Sequence, residues 1–131
     1  LQAGVTEPGL FKAIVAIAPV TDLEQLKTDA HFFVNSALVD RFVGSGPHVT
    51  EGSPARNADR ITAPVLLFQG DRDFNVSIVH SRRMQAALEA AGKRSQLTVY
   101  PGLEHDLDDS TARIDMLTRI GRFLGTELRA R

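Results

Sequence analysis

Two short apolar runs, Lys12 to Ala18 and Val65 to Phe68, and a third strand-like segment, Gln96 to Tyr100, are each followed by a stretch with helical spacing. Strand and helix alternating in this way predict an α/β fold of three parallel strands with flanking helices. The first run lies between Pro8-Gly9 and Pro19 and has the character of a strand buried on both faces. After it, Thr21-Asp22-Leu23-Glu24 has capping-box spacing, with the Thr21 hydroxyl and the Glu24 carboxylate satisfying backbone donors at a helix start. His31 to Arg41 is loosely helical, and Phe42 to Gly52 reads as irregular. Ser53-Pro54 looks like an N-cap with proline at the first helical position, opening a short helix through Asp59.

Past the second run, Met84, Ala87, Leu88 and Ala91 fall at i, i+3, i+4 and i+7, with Gly92 placed as a C-cap. The last helix is expected from Ser110 to Leu128, its apolar stripe carried by Ile114, Leu117, Ile120, Leu124 and Leu128. A length of 131 residues suits one compact domain or a piece of one. The segment Leu1 to Thr6 shows neither a starting Met nor a secretory signal, so the expectation is a chain cut from a longer one.

Charge and composition exclude several functions. The chain has 15 Lys and Arg against 16 Asp and Glu, interspersed, with a net charge of -1, so no basic stripe invites a nucleic acid. The longest apolar run, Ala13 to Ala18, is far short of the roughly 18 to 20 residues that a bilayer helix needs, and no membrane partner is expected. Absence of cysteine removes disulfides, a thiolate nucleophile and Cys-ligated zinc, and leaves the compartment open.

In a parallel sheet, ligands collect beyond the C-terminal strand ends. Just past the second strand lies Gly70-Asp71-Arg72-Asp73-Phe74-Asn75-Val76, and just past the third lies Pro101-Gly102-Leu103-Glu104-His105-Asp106. Neighbouring strands sit roughly 4.8 Å apart, so the two loops can bring a carboxylate onto the His105 imidazole. Such a pair serves acyl transfer, the imidazole taking a serine proton while the acid holds its tautomer. Taken singly, an Asp in a turn more often bonds its own backbone, and a His in a polar loop is usually just solvated. His31, His48 and His80 lack metal-ligand spacing and read as surface or packing residues. The acidic run from Glu104 to Asp109 lacks the ordered oxygens of a calcium loop and fits a solvated helix start. The glycines Gly44 and Gly46 follow no strand and lack a P-loop lysine. Neither a metal nor a cofactor is expected.

The segments FKAIVAIAPVTDL at 11 to 23, SPARNADRITAPVLLFQGDRDFNV at 53 to 76, SRRMQAAL at 81 to 88 and LTVYPGLEHDL at 97 to 107 resemble, in this order and spacing, the prolyl oligopeptidase family of serine peptidases. That group includes dipeptidyl and acylaminoacyl peptidases. The resemblance covers nearly the whole chain and implies residues 1 to 131 of a partial α/β-hydrolase domain, its C-terminal portion. It places the catalytic acid, in a G-x-x-D-x-x-V run, at Asp73, with Asp71 as the competing acid, and the catalytic histidine, after a Tyr-Pro-Gly turn, at His105. Two departures stand out: Ser77 where the family has Pro after the valine, and Glu104 where it has a small residue before the histidine.

No G-x-S-x-G occurs, so the resemblance implies that the nucleophilic serine and the oxyanion-hole donors lie upstream, in the missing N-terminal half. The expected partners are a peptide or acyl-peptide substrate and the remainder of the catalytic domain. The 131 residues alone are expected to be inactive, and their open first strand invites self-association. A carboxylesterase or dienelactone-hydrolase-like enzyme shares the same triad, and a non-catalytic α/β interaction module stays as the alternative from another class.

Overall fold

The computed structural model describes residues 1 to 129. It contains three strands, β1 (Ile14–Ile17), β2 (Val65–Gly70) and β3 (Ser95–Tyr100), in one sheet of order β1-β2-β3, every pair parallel. Six helices accompany them: α1 (Gln2–Thr6), α2 (Leu23–Ala30), α3 (Ser36–Val43), α4 (Pro47–Glu51), α5 (Ile78–Ala90) and α6 (Ser110–Glu127), with 3-10 turns at Pro54–Arg56 and Ala58–Arg60. The expected parallel order is present. Each strand differs from its apolar run by a few residues, since pairing rather than hydropathy sets its ends.

Register determines which residues share a face. Ile14 pairs with Val65 and Ala16 with Leu67, and this side packs against Val5 of α1, Ile61, and Met84 and Leu88 of α5. The opposite side, with Val15, Leu66, Phe68 and Tyr100, packs against Ala112, Met116, Ile120 and Phe123 of α6. Central β2 is buried throughout, and full burial of side chains such as Leu67 and Phe68 stabilises the fold by about 2 to 3 kcal/mol each. Tyr100 stacks on Phe68 with ring centroids 6.3 Å apart, and its hydroxyl donates to Asp115 at 2.9 Å, which ties β3 to α6. Burial and the Asp115 carboxylate push that phenol up to about 12.

Several local expectations are corrected. Burial of the first strand on both faces fails at Ile17, 47% exposed, because the cluster under α6 reaches Val15 only in part and stops short of the strand's end. The α6 stripe is rotated from the expected one. Ile120 does face the sheet, but with Met116 and Phe123, whereas Ile114, Leu117 and Leu128 are exposed. Periodicity identified an apolar face but did not choose between the two faces this helix carries. The irregular passage contains α4, and the helix expected from Ser53 is two 3-10 turns, with Ser53 giving no side-chain cap there. Its hydroxyl instead donates to the Val49 carbonyl and accepts the Leu23 N–H. Gly92, at a left-handed φ of 69°, ends α5 as expected: Gly92 N–H reaches the Glu89 carbonyl and Lys93 N–H that of Leu88, the paired bonds of a Schellman end.

The cap of α2 is Asp22, not Thr21. Asp22 Oδ1 accepts from the N–H groups of Glu24 and Gln25 at 3.0 and 3.2 Å, while Thr21 is buried against α5, its hydroxyl donating to the His80 carbonyl at 2.8 Å. A carboxylate outcompetes a hydroxyl here because two guanidinium groups hold it, Arg56 Nε at 3.0 Å and Arg83 Nη1 at 3.2 Å from Oδ2. Burial alone raises the Asp22 carboxyl. The Arg56 hydrogen bond, the Gln25 N–H and the charges of Arg56 and Arg83 outweigh it and hold the group below its ordinary 3.8. A depressed folded value means that the contribution is complete above pH 3.8 and is lost as pH falls through that lower value. Urea unfolding of Asp22→Asn is therefore expected to show a loss of about 2 kcal/mol near neutrality that shrinks toward zero in strong acid. A deficit independent of pH contradicts the ionic origin.

Candidate active site

Both loops at the C-terminal sheet edge start where parallel pairing stops, β2 at Gly70 and β3 at Tyr100. They are laced together. Asp71 N–H donates to the Tyr100 carbonyl, Arg72 N–H to the Leu103 carbonyl, and Asp71 Oδ1 accepts the Gly102 N–H at 2.6 Å. Gly70 makes the crossing possible. A Cβ built there meets the Leu103 carbonyl oxygen at 2.1 Å and that of Glu104 at 2.9 Å, backbone that no side chain could pass.

Asp73 turns back on its own loop, Oδ1 accepting from the N–H groups of Asn75 and Val76 at 2.9 and 2.8 Å. This is the Asx turn that its sequence context allows, and it accounts for one oxygen only. The second, Oδ2, lies 2.9 Å from His105 Nδ1 and 3.3 Å from the Gln69 amide nitrogen. The Asp73 side chain is fully buried, while the His105 side chain is 38% exposed. A carboxylate oxygen at Nδ1 selects the tautomer with its proton on that nitrogen and leaves Nε2 as the acceptor. Nε2 takes no hydrogen bond from the described residues.

The structure thus brings Asp73 and His105 together and gives Asp71, the competing acid, a bracing role between the loops. The acidic residues near His105 divide their tasks. Asp109 caps α6 by accepting from Ala112 N–H at 2.7 Å, and Asp108 lies 3.6 Å from Arg113. No group of metal-holding side chains forms among the described residues. His48 bonds the Val43 carbonyl and His31 is exposed.

His80 is fully buried, and its surroundings were not legible in the sequence. Its Nδ1 accepts from the Thr21 N–H at 3.2 Å and its Nε2 faces Asp29 Oδ2 at 3.4 Å. Burial lowers its pKa, against the opposing charge of Asp29. Gln69 and Ser81 were missed as well; a glutamine inside the apolar run VLLFQG was the one available signal.

Beside Asp73 opens a cavity of about 510 Å³, lined by Leu26, Ala30, Phe32, Phe33, Val39 and Phe74 among others. Its walls come from α2, the turn after it, α3 and the Asp73 loop. The cavity is largely apolar, with Asp73 in its wall. The arrangement can accept a proton at a fixed nitrogen and can seat an apolar group nearby.

Residues 2–131 match the prolyl oligopeptidase family. A dipeptidyl-peptidase 4 of Giardia intestinalis is 27% identical over 105 residues, 77% of this chain and 13% of that protein. Among solved structures, a puromycin-hydrolyzing peptidase of Mycobacterium tuberculosis superposes with a TM-score of 0.86 at 28% identity, covering 99% of this chain and 20% of that one. An acylaminoacyl peptidase of Pyrococcus horikoshii gives a TM-score of 0.82 at 18% identity over 97% of this chain and 22% of its own, a likeness of fold. The chain spans about a fifth or less of the length of these relatives.

Proposed function

The chain belongs to the prolyl oligopeptidase family, and on that premise we propose that Asp73 and His105 are the acid and the histidine of a serine peptidase's catalytic triad. The observation that carries this reading is the 2.9 Å contact between a buried carboxylate and the inner nitrogen of a partly exposed imidazole, at the C-terminal ends of adjacent parallel strands. In the proposed reaction, His105 Nε2 takes the proton of a serine hydroxyl as its oxygen attacks the scissile carbonyl. It then hands that proton to the leaving amine, giving an acyl-enzyme. In the second half it activates water in the same way, and Asp73 stabilises the imidazolium each time.

The serine and the oxyanion-hole donors come, in this reading, from residues outside these 131. None of the chain's serines stands in a G-x-S-x-G elbow, and none bonds His105 among the described residues. The α2–α3 cavity beside Asp73 is suited to the apolar side chain next to the scissile bond of a peptide or acyl-peptide.

The test compares the full-length protein with the 131 residues alone. The full-length protein is expected to release nitroaniline from peptide nitroanilides and to take up one fluorophosphonate per active site, while the isolated chain takes up none. Turnover of short-chain nitrophenyl esters with no peptide cleavage would favour an esterase. Labelling of the isolated chain would sink the placement of the nucleophile.

A further inference from the structure

We propose that Gln69, held by Ser81, is the positioning residue that aims the Asp73 carboxylate at His105; this rests on the triad reading above. Gln69 is the penultimate residue of β2, fully buried on the side that faces α5. An apolar side chain would suit such a place, because a buried amide costs free energy unless its donors and its acceptor are matched. Here all are matched. Oε1 accepts the Ser81 hydroxyl at 2.5 Å, and Nε2 donates to the Val76 carbonyl at 2.5 Å and to Asp73 Oδ2 at 3.3 Å.

The partners determine which way the amide faces. The Val76 carbonyl can only accept, so the nitrogen must point at it, and the buried Ser81 hydroxyl supplies a donor to the oxygen. Reversing the amide would set its oxygen against both the Val76 carbonyl and the Asp73 carboxylate, with no proton between them.

Two consequences follow for Asp73. Its Oδ1 is held from inside the loop by Asn75 and Val76, but Gln69 is the one contact among the described residues that ties the carboxylate to the sheet itself. With donors converging on each oxygen, the carboxylate cannot swing away from His105 Nδ1 without breaking a hydrogen bond. The same amide pins the Val76 carbonyl, so both ends of the Asp73 turn are anchored to β2. Ser81, twelve residues along on α5, acts through Gln69.

The experiment measures kcat, KM and thermal midpoint in the full-length protein for Gln69→Leu, Gln69→Glu, Ser81→Ala and Ser81→Thr, with Gln69→Leu repeated in an Asp73→Asn background. The Gln69 variants are expected to lower kcat about tenfold or more and Ser81→Ala about threefold, with KM within about twofold. Ser81→Thr keeps the hydroxyl and is expected to recover kcat. In the Asp73→Asn background, Gln69→Leu is expected to add nothing further, because the carboxylate it aims is gone.

Equal losses in both backgrounds, or a loss that lies only in KM and thermal midpoint, overturn the positioning role. If the Gln69 variants do not fold, the Ser81→Ala and Ser81→Thr pair decides. A disabling Asp73→Asn with neutral Gln69 and Ser81 variants overturns this inference and leaves the triad reading standing. A neutral Asp73→Asn overturns both.

Discussion

Replacing His105 by alanine in the full-length protein is expected to lower kcat for peptide hydrolysis by about 10⁶-fold while leaving KM within a few-fold. Ground-state binding in the proposed site comes from the apolar cavity, which His105 does not line, so the loss falls on the transition state. Residual turnover would come from the oxyanion hole and substrate binding alone. Asp73→Asn is expected to cost less, about 10⁴-fold, and for a different reason. An asparagine amide that donates to Nδ1 drives the imidazole proton onto Nε2, the nitrogen that must be free to accept. The folded structure should survive the histidine change, since its side chain is partly exposed and, among the described residues, bonded only to Asp73. Steady-state kinetics with matched circular dichroism spectra check this. A loss below about tenfold would remove His105 from the chemistry.

Gly70→Ala is the substitution expected to damage both fold and site. The added methyl would sit 2.1 Å from the Leu103 carbonyl oxygen and 2.7 Å from its carbon, so the backbone of the second loop has to move. Movement there breaks the lacing of Asp71 to Tyr100 and of Arg72 to Leu103 and shifts His105, two residues beyond Leu103. Overpacking against backbone at a buried strand end is expected to cost about 3 kcal/mol, read as a lower thermal midpoint of the full-length protein. Even where the variant folds, a displacement of about 1 Å at the imidazole is expected to reduce kcat about 100-fold. Differential scanning calorimetry and kinetics on the same preparation separate the two effects. An unchanged midpoint would mean that the close approach at Gly70 is not what joins the loops.

The central strand was legible because a buried parallel strand writes itself as an apolar run, and the half-buried β1 and β3 were legible as much from the breaks around them. Pro8-Gly9, Pro19, Ala63-Pro64 and Pro101-Gly102 punctuate those runs. The meeting of Asp73 and His105 was legible because both follow adjacent strand ends and because the family resemblance maps an acid between Gly70 and Val76 and a histidine after Tyr100-Pro101-Gly102. Local rules failed where distant partners intervened. Thr21 and Asp22 are both plausible caps, and the choice was made by Arg56 and Arg83, 34 and 61 residues away. Which apolar face of α6 meets the sheet depends on strand register, which no helix-internal pattern encodes. Gln69, Ser81 and His80 form their bonds across 4 to 59 residues, and a single polar letter inside an apolar segment does not name its mate.

The Asp73–His105 contact closes entirely within one pair of neighbouring strands and the two turns that leave them. The geometry of the pair is in this sense a self-contained cassette. It is oriented by β2, β3 and the turns that leave them, so in the proposed function a hydroxyl delivered from elsewhere would meet a pair already aligned.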